Sequence, residues 1–133
     1  MDKNEWVEYR ELQTAGWELQ RHNQVRLNGG SESIDHAVAK MLVAHAGHDA
    51  GYRVASEVPH ERRGEIDVLL YGHDSRLTLA VECGTSPDDS VVQDKTRRYV
   101  TDTPIDDIAV INISTLPRDR IDAYQEVREV LGL

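Results

Sequence analysis

The sequence predicts an α/β domain in which a mixed, mostly four-stranded sheet lies between helices, in the order α, β, β, β, α, β, α from Ser33 onward. Three observations carry that prediction. Glu65 to Tyr71 and Leu77 to Glu82 are nearly continuous apolar runs, the pattern of strands covered on both faces. Residues on either side of them repeat apolar side chains at helical spacing. Gly, Pro, Asp and Ser clusters punctuate the chain between these runs.

Met1 to Arg26 is expected to form an N-terminal arm, with a short helix ending near Gly16 and an extended segment after it. Leu27-Asn28-Gly29-Gly30-Ser31 reads as a loop, so the chain divides into an arm and loop over 1–30 and a domain over 31–133. Ser33 is placed to cap a helix whose Ile34, Val38, Met41, Leu42 and His45 form one stripe, and Gly47 to Gly51 should end it. Tyr52 to Val58 is expected as the first strand and Glu65 to Tyr71 as the second. Gly72-His73-Asp74-Ser75 marks the turn into the third, Leu77 to Glu82. Pro87-Asp88-Asp89 opens a helix reaching about Thr101, Asp107 to Ile113 is the fourth strand, and Pro117 should start a last helix with Ile121, Tyr124, Val127, Val130 and Leu131 facing inward.

Composition narrows the class further. The 133 residues suit one domain, and the lone cysteine, Cys83, excludes an internal disulfide and any cysteine-based zinc site, which fits a reducing cytoplasm. The opening MDKNEWVEYR is too charged for a secretory leader, and no apolar run approaches the roughly 20 residues that span a bilayer. Twenty-four acidic residues against 15 basic ones give a net charge of −9, which on its own argues against nucleic acid. The 15 cations, however, are 3 Lys and 12 Arg, and Phe is absent. A lysine-poor surface dense in carboxylates resembles that of an extreme halophile's protein, whether encoded by the cell, a virus or a plasmid. In molar salt the Debye length shrinks to about 3 Å and such a charge repels DNA far less.

Register points to a site. If the turn between the second and third strands takes His73 to Arg76, Gly72 faces Leu77 and Asp67 faces Glu82. Directly opposed residues have Cβ atoms roughly 5 Å apart, and two acids held so close favour a hard divalent cation between them.

The strings GEIDVLL and LAVEC, joined by a hairpin within this element order, resemble the PD-(D/E)XK nuclease superfamily from Ser33 to about Ser114. The resemblance implies a nuclease fold that binds Mg²⁺ or Mn²⁺ through Asp67 and Glu82 and hydrolyses DNA phosphodiester bonds, with branched or otherwise structured DNA as the substrate of small stand-alone members. The family's lysine would fall at Gly84, so a lysine supplied by the following helix is implied instead, and Lys95 is the one available. Members often add an acid from the first helix, which makes Asp35 the first candidate and Glu32 the second. Glu57 and Glu65 are further candidates for the metal site. Arg62, Arg63, Arg97 and Arg98 are candidate phosphate contacts, and the histidines show no repeated ligand spacing. Cutting both strands implies a homodimer, for which Trp6, Tyr9 and Trp17 of the arm are the expected interface. The competing expectation is a nuclease-fold binding module that has lost catalysis, which Gly84 favours.

Overall fold

The computed structural model describes residues 1–27, 32–85 and 88–133, so most of the expected loop, 28–31, lies outside the described residues. The elements are α1 (Lys3–Thr14), α2 (Ile34–Asp49), β1 (Arg53–His60), β2 (Gly64–Tyr71), β3 (Leu79–Gly84), α3 (Asp89–Tyr99), β4 (Asp107–Asn112) and α4 (Arg120–Leu131), with a 3-10 turn at Ile113–Thr115 before the last helix. The sheet runs β1-β2-β3-β4, antiparallel except for the β3/β4 pair. That is the mixed α/β architecture the apolar runs predict. Among the described residues, no helix is long and apolar enough to cross a membrane.

Two apolar clusters cover the two faces of the sheet. One joins Ala39, Val43 and Ala46 of α2 and Val127 and Leu131 of α4 to Val68, Leu70, Val81 and Ile111. The other joins Tyr9 and Leu12 of α1, Trp17 and Tyr99 to Val58, Ile66, Leu69 and Ala80. Tyr9, Leu12 and Trp17 of the N-terminal segment pack into this second cluster, and the chain after α1 runs along the free edge of β1. There Gln20 Nε2 donates to Ser56 O, Ser56 N donates to Gln20 Oε1, and Val54 N donates to Asn23 Oδ1. An edge strand is thus covered by side-chain hydrogen bonds, which blocks pairing with another sheet.

Helix α2 buries a different face from the one its larger apolar residues predict. Ala39, Val43, Ala46 and Gly47 face the sheet, while Ile34 is 82% exposed and Val38, Met41 and His45 also lie in solvent. The reason is proximity: a Cβ on Gly47 would stand 2.4 Å from Leu70 Cδ2, so only small side chains allow the helix this close. Helix α4 repeats the lesson. Asp119, not Pro117, sits at its start, accepting from the Ile121 and Asp122 amides, and Ala123, Val127 and Leu131 are buried while Ile121 and Val130 are exposed.

Candidate functional site

Two strands carry an interruption at the same level. Ser56↔Val68 and Val58↔Ile66 are paired, which sets Glu57 across from Asp67, and Val68↔Val81 sets Asp67 across from Glu82. Glu57 has φ 47°, a left-handed conformation that is uncommon outside glycine. Faces switch at this row: Val54 and Val68 belong to the α2/α4 cluster, whereas Val58 and Ile66 belong to the α1/α3 cluster. The result is a row of three acids across β1, β2 and β3.

Beyond Val68↔Val81, carboxylates continue the ladder. The Asp67 amide donates to Glu82 Oε2 at 3.0 Å, and the Cys83 amide donates to Asp67 Oδ2 at 2.9 Å. Each acid is thereby fixed by the other's strand. Lys95 of α3 donates its ammonium to Glu82 Oε1 at 3.0 Å. Burial, followed by the charge of Asp67, pushes the Glu82 carboxyl up to about 7 even with Lys95 beside it. Tyr99, one turn along α3, donates its hydroxyl to Glu65 O at 3.0 Å and closes the same end of the sheet.

From the other side the row is approached by His36 and Lys40 of α2 and by Glu32, which precedes the Ser33 cap of that helix. His36 Nδ1 lies 2.6 Å from Glu32 Oε1, and its Nε2 lies 3.5 Å from Asp67 Oδ2. Lys40 is wholly buried and pairs with Glu32 at 2.6 Å and Glu57 at 2.5 Å. Burial alone would lower its pKa, but the two carboxylates override that and hold it above the usual lysine value. Glu65 shares a hydrogen bond with Glu57, which with partial burial raises it to about 7.

The structure thus brings together Asp67, Glu82, Lys95, Glu57, Glu65 and Glu32 from the sequence expectations. Asp35 is not among them: it is exposed and lines a hollow between α2 and the segment 113–123. Of the arginines, Arg63 donates to Arg98 O and Thr101 O, while Arg97 and Arg98, both on the surface of α3, pair with Asp94 at 2.7 and 2.9 Å. Arg62 lies exposed in the β1–β2 turn. His36 and Lys40 were not expected. The signal for them is the i, i+4, i+8 spacing of Glu32, His36 and Lys40, a polar stripe beside the apolar one.

Five carboxylates face two lysines and one histidine here, a local excess of negative charge. Among the described residues no group of three or more His, Cys, Asp or Glu is arranged to hold a metal ion. The donor set is instead two opposed carboxylates, which fits Mg²⁺, an ion commonly held by one or two carboxylates with water and phosphate completing its shell. It does not fit zinc. No family model, curated protein or solved structure matches the chain.

Proposed function

We propose that the protein is a Mg²⁺- or Mn²⁺-dependent nuclease hydrolysing DNA phosphodiester bonds, with Asp67 and Glu82 as metal ligands and Lys95 as the catalytic cation. The observation that carries this reading is the Asp67–Glu82–Lys95 constellation. Across β2 and β3, Glu82 Oε2 accepts from the Asp67 amide and Asp67 Oδ2 from the Cys83 amide, and a lysine from the next helix lies 3.0 Å from Glu82 Oε1. A bound divalent cation supplies charge neutralisation at the phosphate and lowers the pKa of a water. Asp67 and Glu82 would hold it through Asp67 Oδ1 and Glu82 Oε1, the second shared with Lys95, while backbone amides orient the carboxylates through Asp67 Oδ2 and Glu82 Oε2. Lys95, partly exposed at 28%, orients the attacking water or stabilises negative charge as it develops on the phosphoryl oxygens. Glu57, Glu65, Glu32 and His36 form the wall behind Asp67.

A second reading, a binding module without catalysis, is favoured by Gly84, which leaves no side chain two residues after Glu82. A cleavage assay on duplex, single-stranded and branched DNA with Mg²⁺ or Mn²⁺ in molar KCl decides between them. Metal-dependent products absent in EDTA support the nuclease, and binding without products supports the module.

Cutting two strands calls for two copies about a two-fold axis, and we propose a homodimer. Of the aromatics expected at the interface, Tyr9 and Trp17 are buried in the core and Trp6 alone is exposed. The larger apolar surface is the stripe of Ile34, Val38 and Met41 left in solvent on α2, and we assign the interface to it. Beside it, Asp35 and the pair Arg118 and Arg120 rim one hollow, so two copies of the patch carry complementary charges.

A further inference from the structure

An aromatic column runs from the core to solvent on the α1 side. Tyr71, 1% exposed, lies 6.5 Å from the ring of Tyr9, 8% exposed; Tyr9 stacks on Trp6 at 5.5 Å with only 11° between planes. Trp6 is 38% exposed, and the guanidinium of Arg21 sits 5.6 Å from its ring centroid. Arg21 is exposed, and its backbone is tied down because its carbonyl accepts from Arg53 Nη2 at 2.7 Å. The column therefore ends in a cation held over Trp6 and open to solvent. Hollows of about 400 and 360 Å³ flank it, lined by Trp6 and Arg21 together with His22 and Arg53 in one and Lys3 in the other.

Charge here runs against the rest of the molecule. Lys3, Arg21 and Arg53 outnumber the two acids of this end, Asp2 and Glu5, whose carboxylates are committed to each other's amides in the α1 capping box. From Arg21 the chain follows the β1 edge to Arg26, whose carbonyl accepts from Lys40 beside the candidate site. Arg53 and Glu57 are four residues apart on that strand, about 13 Å.

We infer that the exposed end of the Tyr9–Trp6–Arg21 column binds single-stranded nucleic acid, a base stacking on the Arg21 guanidinium while Arg53 and His22 meet its phosphates. This deepens the nuclease reading and rests on it for its biological sense: the strand held at the column is led along the β1 edge toward Asp67 and Glu82. Guanidinium and aromatic planes stack on any base, so the contact carries no sequence preference. Stacking also survives salt that screens phosphate contacts, which suits a chain of net charge −9.

The test is anisotropy of a labelled oligothymidylate titrated with the full-length protein in EDTA, with tryptophan emission followed in parallel. Trp17 is buried, so quenching reports on Trp6. Saturable binding with quenching is expected. Arg21→Ala and Trp6→Leu should each weaken it about ten-fold or more, also in molar KCl, while Val130→Ala, exposed at the far end of α4, leaves it unchanged. Arg21 is exposed, so its variant tests the idea even if Trp6→Leu unfolds. No binding, or affinity indifferent to Arg21→Ala, overturns the inference. Binding without cleavage in Mg²⁺ would sink the nuclease reading alone, and cleavage indifferent to Arg21→Ala would sink the column alone.

Discussion

The amide of Asp67 donates to Glu82 Oε2 at 3.0 Å, so a carboxylate stands where the backbone ladder between β2 and β3 would otherwise continue. Burial and the neighbouring acid push Glu82 up to about 7 from 4.5. The folded chain therefore binds this proton more tightly than the unfolded chain, a contribution complete below 4.5 and lost as pH rises through about 7. Mg²⁺ needs the ionised form, so its effect runs the other way. Between about pH 5 and about pH 8 the rise in Tm produced by MgCl₂ should grow, and Glu82→Gln should abolish that trend in thermal melts. A magnesium effect independent of pH and of Glu82 would contradict the assignment.

Lys40 holds Glu32 and Glu57 from a position with no solvent exposure. Replacing it with Met leaves two largely buried acids without their cation. Urea unfolding of Lys40→Met should show a loss of about 3–5 kcal/mol, reduced when Glu57→Gln is added. Equal stability of the variant and the parent would remove Lys40 from this role.

The α2 orientation can be checked from both sides. Gly47→Ala forces a methyl into Leu70 and should cost about 1–3 kcal/mol, whereas Met41→Glu, on the solvent face, should leave unfolding nearly unchanged. Light scattering on the same Met41→Glu protein should report a monomer if the stripe is the dimer interface. A dimer indifferent to that charge would place the interface elsewhere.

How far the sequence could be read depended on period. Strands β2 and β3 announce themselves because both of their faces are covered, and the hairpin count from Gly72 to Leu77 is enough to oppose Asp67 and Glu82. The α2 face misleads because hydrophobic size is a poor guide where a helix must come close: Gly47 and Ala39 pack, and Ile34 and Met41 do not. Asp35 is the first candidate on the page and Glu32 the second, yet Glu32, just before the Ser33 cap, is the acid that meets His36 and Lys40. The left-handed Glu57 has no local signature, since no glycine or asparagine marks it. The N-terminal segment looks separable because its apolar residues lack a clean period, yet Leu12 and Trp17 are each 1% exposed.

Carboxylates outnumber cations by 24 to 15, and their mutual repulsion is screened over about 10 Å at 0.1 M salt but about 3 Å at 1 M. If the surface is adapted to salt, circular dichroism melts should give a Tm that climbs from dilute buffer into molar KCl. A flat response would mark an ordinary acidic surface and restore the net charge as an argument against DNA.

The most direct measurement is the single-turnover rate of DNA cleavage in Mg²⁺ for the parent chain, Asp67→Ala, Lys95→Ala and Lys95→Ala combined with Gly84→Lys. Among the described residues a Cβ at Gly84 meets nothing within 4 Å, so a lysine there has room to reach Glu82 from its own strand. Asp67→Ala should abolish cleavage together with metal binding, Lys95→Ala should slow it about 100-fold with metal binding intact, and Gly84→Lys should restore part of that loss. A Lys95→Ala enzyme that cuts at the parental rate, or an Asp67→Ala enzyme that cuts at all, would contradict the account.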